Sequence, residues 1–262
     1  MSETRSGKTT GAVLIGASGR MGLAILAAAP AYPALTIVAA IASPASAALG
    51  RDSGTLAGAA ANHVPVTDAL AAALPQADVV IDFSHAQATR ANLSACVRAG
   101  KPLLIGTTGF AATLEADFTA AARHIPLLIA PNTSLGVTLL LELAREAARA
   151  LPGFALAVSE THHAAKRDAP SGTALALAQA LREGRGPQAS ATAVPVSSRR
   201  EGEVVGEHTV SLSGPGEVVF LGHRALDRQV FAQGALAAAL WLASRPPGRY
   251  AMRDLLDGKT AT

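Results

Sequence analysis

The sequence predicts an α/β protein with a parallel sheet in its first half, and three observations lead to this class. Short apolar runs alternate with longer Ala-rich segments, as in parallel βαβ units. A glycine-rich loop directly follows the first apolar run. After about Ser134 the pattern changes to helices mixed with β-rich sequence. The 262 residues are enough for one large or two modest domains with a sizeable core.

The parallel strands are predicted at short apolar runs that end in glycine or polar residues. Those ends mark the carboxyl edge of the sheet, where open α/β folds bind their ligands. The runs span residues 12–15, 35–41, 79–81, 103–105 and 127–129.

The second half of the chain is predicted to begin with a helix at residues 137–150 and a buried strand at 154–158. A second helix is predicted at residues 173–181, and β-rich sequence extends from 193 to 226. Residues 160–173 are therefore predicted to form a strand-to-helix connection.

Residues 21–50 contain no charged side chain and could be mistaken for a membrane span. Pro30, Pro33 and Pro44 divide this stretch into a helix, a turn and a strand, so we predict core and no membrane partner. The first ten residues carry charges without the apolar core of a signal peptide, which predicts a cytoplasmic protein.

The composition bounds the possible partners. Charged residues make up 16% of the chain, against about 25% in average proteins. The net charge of +3 suits an anionic ligand, but the basic residues form no long stripe with interleaved aromatic residues, so we predict no nucleic-acid partner. The single cysteine, Cys96, rules out an internal disulfide and is expected to be a buried residue of a helix at 87–99.

The first strand runs into the loop that opens the first helix, Gly16-Ala17-Ser18-Gly19-Arg20-Met21-Gly22. Glycines at such a turn let the backbone approach a pyrophosphate and let the helix pack closely on the strand. A tight turn without a ligand would also explain this spacing, but the βαβ context favours a Rossmann-type dinucleotide site.

The acidic residue expected about 20 positions after such a loop is missing, because the second predicted strand ends in Ala42 and Ser43. A carboxylate there would repel the 2′-phosphate of NADPH. We therefore expect NADPH to be accepted at least as well as NADH. Ser43, Arg20 and Arg51 are the candidates to meet that phosphate, and each is also explained as an ordinary surface residue.

Acid–base and anion-binding side chains are concentrated in residues 160–173. His162, His163 and Lys166 can exchange protons or hold negative charge. The hydroxyls of Ser171 and Thr173, with backbone N–H groups at a helix start, can hold a carboxylate or phosphate.

Two other interpretations of this segment stay open. Ser171 would merely cap a helix beside ordinary polar loop residues. A metal site would use Glu160, His162, His163 and Asp168. Adjacent residues of a strand point to opposite faces, which makes His162 and His163 poor partners for one ion, and we predict no metal.

These motifs resemble those of the dihydrodipicolinate reductase family (4-hydroxy-tetrahydrodipicolinate reductases), which serves the diaminopimelate route to lysine. The resemblance runs nearly end to end. It is carried by residues 16–22, 81–84, 105–110, 160–174, 205–209 and 250–256, of which the segment 160–174 is highly specific.

The resemblance implies a Rossmann-type domain at residues 1–131 and 233–262, with a C-terminal helix that returns to it, and an α+β domain at 132–232. The mixed sheet of the second domain would mediate a homotetramer. Arg228 and Phe231 would lie at the hinge.

The resemblance also implies the reaction and its residues. A small cyclic imine with two carboxylates would lose water and accept a hydride from NADPH or NADH. His162 would be the acid–base residue and Lys166 the proton donor, while the substrate would be held by His163, Ser171, Gly172 and Thr173. The cofactor would be lined by Gly16, Ala17, Ser18, Gly19, Arg20, Met21, Ser43, Gly106, Thr107, Thr108, Ala130, Pro131, Asn132 and Thr133.

Three features depart from the family pattern. Ala42 and Ser43 replace an acidic-basic pair, Pro131 and Thr133 replace Ala and Phe, and the stretch 181–195 is short. None of them involves His162. The alternatives are a non-catalytic NAD(P)-sensing protein on the same fold and a reductase of another small cyclic imine acid.

Overall fold

The computed structural model describes residues 9–186 and 193–257. Part of the short stretch 181–195 therefore lies outside the described residues. The chain divides into two compact units, one of Met1–Thr133 with Phe231–Thr262 and the other of Ser134–Val230. We call them unit 1 and unit 2. No helix within the described ranges is long and apolar enough to span a bilayer.

The strands are numbered in chain order. They are β1 (Thr10–Ile15), β2 (Leu35–Ile41), β3 (Val66–Thr67), β4 (Val79–Asp82), β5 (Leu103–Ile105), β6 (Pro126–Ile129), β7 (Ala155–His162), β8 (Val196–Arg200), β9 (Gly206–Gly214), β10 (Glu217–Ala225) and β11 (Gly248–Tyr250).

The α-helices are numbered in the same way. They are α1 (Arg20–Ala28), α2 (Ser53–Leu56), α3 (Leu70–Ala73), α4 (Ala86–Ala99), α5 (Glu115–Ala121), α6 (Leu135–Ala150), α7 (Gly172–Arg185), α8 (Gln229–Leu242) and α9 (Met252–Leu256).

Unit 1 contains a seven-stranded sheet in the order β11-β6-β5-β4-β1-β2-β3, with every pair parallel. The chain passes from β1 to β2 and β3 on one side, and then returns to β4 on the other side of β1. This reversal of strand order creates a crevice at the carboxyl ends of β1 and β4. The α/β class and the parallel sheet predicted from the apolar runs are confirmed.

Both faces of this sheet are covered, because successive strand residues point to opposite sides. Leu14 packs in a core with Ile25 of α1 and Leu236 of α8. Its neighbour Val13 packs in a second core with Phe118 of α5 and Cys96 of α4. Burial and the charge of Asp82 raise the pKa of the Cys96 thiol to about 12, which confirms its prediction as a buried small residue.

Unit 2 contains a four-stranded sheet in the order β10-β9-β7-β8. β7 and β8 are parallel and the other pairs antiparallel, so the predicted mixed sheet is confirmed. Helices α6 and α7 pack against one face through a core that includes Leu140, Leu177, Val158 and Val210.

One boundary prediction was wrong. β7 extends to His162 instead of ending near residue 158, because it pairs with β9 on one side and β8 on the other. Glu160 and His162 are therefore strand residues that point to the same face of the sheet, and both are buried. The strand-to-helix connection begins only at His163.

Candidate functional site

The glycine loop of unit 1 requires glycine, because a side chain at Gly16 or Gly22 would clash with neighbouring backbone. Gly16 has a φ of +83°, and a Cβ on it would lie 2.4 Å from the carbonyl oxygen of Phe83. A Cβ on Gly22 would lie 2.2 Å from the carbonyl oxygen of Gly16. Gly19 is the N-cap of α1 and has no side chain to cap the helix. The helix start can therefore offer its backbone N–H groups to an anion.

The loops after β4 and β5 are tied together by Asp82, which is fully buried. Its Oδ1 accepts a hydrogen bond from Ser84 N at 2.8 Å, and its Oδ2 accepts one from Asn92 Nδ2 at 2.9 Å. Its carbonyl oxygen accepts from Gly106 N at 2.9 Å. A Cβ on Gly106 would lie 2.2 Å from the ring of Phe83. The role of Asn92 was missed, although a polar residue on the buried face of a predicted helix is a usable signal.

The other predicted cofactor residues lie in the loops at this end of the sheet. Ser18 and Ser46 are hydrogen-bonded through their hydroxyls at 3.2 Å, which joins the glycine loop to the loop after β2. Ser43, in that same loop, is exposed. The Thr133 hydroxyl donates to the carbonyl oxygen of Phe231 at 2.6 Å, so it already serves a structural contact.

In unit 2, four polar residues stand in one row across the sheet. Glu160 on β7 pairs in register with Ser198 on β8 and with His208 on β9, and His208 pairs with His223 on β10. The rings of His162 and His208 meet edge to face, with centroids 5.0 Å apart. His208 falls within the motif 205–209, but its place beside Glu160 was not predicted, and His223 was not predicted at all, because nothing local reveals which strands become neighbours.

The two helices of unit 2 begin at this row. Ser171 caps α7, and its Oγ lies 3.3 Å from His208 Nε2. Ser134 caps α6, and its Oγ lies 3.5 Å from His223 Nε2. The backbone N–H of Ser171 also donates to Glu160 Oε1 at 3.0 Å.

The carboxylate of Glu160 is held at Oε1 and lies beside two imidazoles at Oε2. Arg200 lies 3.4 Å from Oε1, which also accepts from Ser171 N. Oε2 lies 3.2 Å from His162 Nδ1 and 3.8 Å from His208 Nε2. Burial alone would raise the pKa of Glu160, but hydrogen bonds from Ser171 and Ser198 outweigh it, so the pKa lies below its usual value. Glu160 is therefore a carboxylate at neutral pH.

The pKa values of the two neighbouring histidines are also lowered, which for an imidazole favours the neutral form. Burial lowers the pKa of His162, Glu160 partly opposes that shift, and Lys166 adds to it. Burial and the neighbouring His162 lower the pKa of His208 to about 4. Both imidazoles are thus neutral near pH 7, beside an ionised carboxylate.

The connection after β7 carries the half-buried Lys166 and the exposed Asp168. Lys166 Nζ donates to both carboxylate oxygens of Asp168 at 2.7 Å, and this contact lowers the pKa of Asp168. His163 Nε2 lies 3.2 Å from Arg228 Nη2. Arg200 donates to the carbonyl oxygens of Lys166 and Asp168, so it holds this connection in place.

The residues at the start of α7 differ in their exposure to solvent. Ser171 is buried, and its Oγ accepts from Ala174 N at 3.2 Å, as a helix cap does. Gly172 is exposed and Thr173 is half-buried. Gly172 and Thr173 therefore lie where an anion can reach them, whereas Ser171 mainly holds the helix end and its histidine neighbour.

The metal set considered from the sequence does not come together, because Asp168 pairs with Lys166 and His163 lies against Arg228. Among the described residues, Glu160, His162 and His208 instead bring their ligand atoms within 4.8 Å of one another. Two imidazoles and a carboxylate can bind a divalent cation. The same contacts are also those of a buried hydrogen-bonded row.

Two family models match the chain. Residues 10–133 match one described as Dihydrodipicolinate reductase, N-terminus, and residues 136–256 match one described as Dihydrodipicolinate reductase, C-terminus. The resemblance inferred from the sequence motifs is thereby confirmed.

Curated relatives agree. A 4-hydroxy-tetrahydrodipicolinate reductase of Anaeromyxobacter dehalogenans is 44% identical over 264 residues, covering 94% of this chain and 97% of the relative. One of Thiobacillus denitrificans is 44% identical over 262 residues, covering 94% and 98%.

Solved structures share the fold. A dipicolinate-bound dihydrodipicolinate reductase from Paenisporosarcina sp. TG-14 superposes with a TM-score of 0.77 at 22% identity, covering 93% of this chain and 98% of that one. An amine dehydrogenase from Mycobacterium smegmatis reaches a TM-score of 0.66 at 16% identity, covering 94% and 95%.

Proposed function

The chain belongs to the dihydrodipicolinate reductase family, and on this premise we propose that residues 160–173 carry its proton-transfer and carboxylate-binding groups. The protein catalyses the NAD(P)H-dependent reduction of 4-hydroxy-tetrahydrodipicolinate to tetrahydrodipicolinate, with loss of water, in lysine biosynthesis through diaminopimelate. The observation that carries the residue assignment is the convergence of His162, Glu160 and the start of α7 on one face of the unit 2 sheet.

Unit 1 fits a nicotinamide dinucleotide. The steric need for glycine at positions 16, 22 and 106 leaves bare backbone at the carboxyl ends of β1 and β5, as a pyrophosphate requires. The residues that would hold the cofactor are 16–21, 43, 106–108 and 130–133. When bound, the cofactor supplies the hydride.

The cofactor preference follows from charge. No carboxylate stands at the end of β2, where the chain reads Ala42 and Ser43. Arg20, Ser43 and Arg51 are exposed around the glycine loop and the loop after β2. NADPH is therefore accepted at least as well as NADH.

His162 and Lys166 manage the protons. Negative charge builds on the substrate as it accepts the hydride, and a positioned proton donor lowers the barrier, typically by about 10²–10⁴-fold in rate. Lys166 is the donor, because its ammonium lies on the connection after β7, half-buried and held against Asp168. His162 is the acid–base residue, because its buried imidazole is neutral and can take a proton.

The substrate carboxylates are held by the start of α7 and nearby cations. Gly172 and Thr173 present backbone N–H groups at the positive end of the helix dipole. His163 and Arg228 add further donors on the same unit. A substrate with one carboxylate would leave part of this charge unpaired, at a cost of about 1–3 kcal/mol.

The assembly is a homotetramer built on the unit 2 sheet. The face opposite α6 and α7 exposes Val218 and Phe220, which are 48% and 66% accessible. Exposed apolar patches of this kind mark protein interfaces. The location is cytoplasmic, as the single buried cysteine and the biosynthetic role suggest.

Kinetics of wild type and two variants test this assignment. Oxidation of NADPH and NADH is followed by absorbance, with substrate made in place by the preceding synthase. His162→Gln should lower kcat by about 10²-fold with little change in KM. Lys166→Ala should lower kcat and raise KM together. Glu183→Gln, an exposed change on α7, is the control. Full activity in both active-site variants would contradict the assignment.

A further inference from the structure

We propose that Glu160 is the positioning residue of His162. Its carboxylate keeps the imidazole proton on Nδ1, so that Nε2 is the atom that exchanges protons. This inference rests on the function proposed for His162 and deepens it. The starting observation is the 3.2 Å separation of Glu160 Oε2 and His162 Nδ1.

The strand geometry creates the pair. Residues two apart on a strand point to the same face, and β7 places both side chains under α7. The side chain of Glu160 is fully buried and that of His162 is 10% exposed. Within the described residues, neither Oε2 nor Nδ1 makes a hydrogen bond of good geometry, although the two atoms lie only 3.2 Å apart. A buried polar atom without a partner is costly, and a proton on Nδ1 directed at Oε2 is the arrangement that would satisfy both atoms.

The other half of the carboxylate fixes its orientation. Oε1 accepts from Ser171 N at 3.0 Å and lies 3.4 Å from Arg200. The group is therefore held from the start of α7 and the end of β8. Oε2 faces the His162 imidazole at 3.2 Å, with His208 Nε2 farther away at 3.8 Å. Such a carboxylate–histidine contact selects the tautomer and stabilises the protonated ring.

The opposite side of the ring is kept open by a glycine. A Cβ on Gly206 of β9 would lie 3.0 Å from His162 Nε2 and 3.3 Å from its Cδ2. Contacts that close require the ring to give by a few tenths of an ångström. Gly206 therefore provides space beside the atom that the Glu160 contact leaves unprotonated.

The charges that face His162 come from each packed element. Glu160 stabilises the protonated ring, and Asp168 acts in the same direction. Lys166 and Arg200 oppose protonation. His208 lies against the ring from β9. Removing the Glu160 charge should therefore make His162 harder to protonate.

The first experiment needs no variant. Nitrogen-15 NMR of the wild-type protein, labelled at histidine, reports which ring nitrogen of His162 carries the proton. We expect the proton on Nδ1. A proton on Nε2 would overturn the proposal.

The second experiment compares the kinetics of Glu160→Gln, Glu160→Asp and Gly206→Ala as a function of pH, with Glu183→Gln as the matched carboxylate-to-amide control. Glu160→Gln should lower kcat by about 10²-fold, leave KM within about threefold, and move the limb of the kcat profile that reports His162 to lower pH. Glu160→Asp, which keeps the charge, should recover part of kcat. Gly206→Ala should lower kcat while the Nδ1 proton remains. The control should match wild type.

The outcomes separate this inference from the function on which it rests. An unchanged kcat profile in Glu160→Gln, while His162→Gln is inactive, would overturn the positioning role and leave the function of His162 intact. Full activity of His162→Gln would instead remove the assignment of that residue. Loss of wild-type activity in EDTA, restored by Zn²⁺, would show that Glu160, His162 and His208 hold a metal and would overturn the proposal.

Discussion

The glycine loop of unit 1 and the buried polar row of unit 2 form sites by opposite means. Around Gly16, Gly22 and Gly106 the backbone or a ring lies 2.2 to 2.4 Å from where a Cβ would be, so the site consists of bare main chain. Around Glu160 and His162 the site consists of side chains that desolvate and polarise one another. Substitutions that add side-chain volume should therefore disturb the first site most, and changes of charge or pH should disturb the second site most.

The largest effect is expected from adding volume to the glycine loop. Gly22→Ala places a Cβ 2.2 Å from the carbonyl oxygen of Gly16, where no flexible side chain can yield. We expect a loss of about 3 kcal/mol or more in the free energy of unfolding and at least a tenfold weaker affinity for NADPH. Urea unfolding and nucleotide titration measure the two effects.

A second variant separates the cost of a steric clash from the cost of a left-handed backbone conformation. Gly100 has a φ of +63° and no atom within 4 Å of an added Cβ. Gly100→Ala should therefore cost only about 1 kcal/mol, from the left-handed conformation alone. Equal effects of the two variants would show that crowding does not define the loop.

The next largest effect is a pH dependence of the free energy of unfolding, which arises from His208 in unit 2. The pKa of His208 is about 4 in the folded protein and about 6.5 when unfolded. The unfolded state therefore binds more protons between these values. The contribution of neutral His208 to the free energy of unfolding is therefore complete above the unfolded pKa, and it is lost as the pH falls toward 4. Wild type should lose about 2 kcal/mol more than His208→Gln between about pH 7 and about pH 5.

Urea unfolding of both proteins at each pH measures that difference, and carboxylate titrations common to the two cancel. The exposed His124→Gln in unit 1 serves as control and should follow wild type. Parallel stability curves for wild type and His208→Gln would mean that His208 is protonated in the native state without penalty.

The smallest effect on stability is expected at the start of α7. Gly172 has no atom within 4 Å of an added Cβ and no positive φ. Gly172→Ala should change the unfolding free energy by less than about 0.5 kcal/mol, yet raise KM for the substrate several-fold by crowding the exposed N–H groups. Steady-state kinetics and thermal melting test this.

Gly153 is equally uncrowded and lies between α6 and β7, away from the α7 start. Gly153→Ala should leave both stability and KM unchanged. A wild-type KM in Gly172→Ala would argue that the substrate does not approach this turn.

Several elements followed from sequence because their signals are local. The apolar runs predicted five parallel strands of unit 1 to within two residues at each end. Strands β3 and β11 were missed, because β3 has only two residues and the three residues of β11, Gly248–Tyr250, include a glycine and an arginine and form no apolar run. The extension of β7 was missed because Ser159 to His162 read as polar connection, and only pairing with β8 and β9 makes them a strand.

By itself, the sequence determined the fold class, the glycine loop and the family, because periodicity, turn chemistry and a specific motif are all local to consecutive residues. It also pointed to His162 and Lys166 as the candidates for proton transfer. Only the tertiary structure decided that Ser171 and Arg200 contact Oε1 of Glu160 and that His208 lies near Oε2. Those partners come from strands and helices up to 48 residues from Glu160 in the chain. Their electrostatic effect on His162 depends on burial and distance, which exist only after the sheet and its helices have assembled.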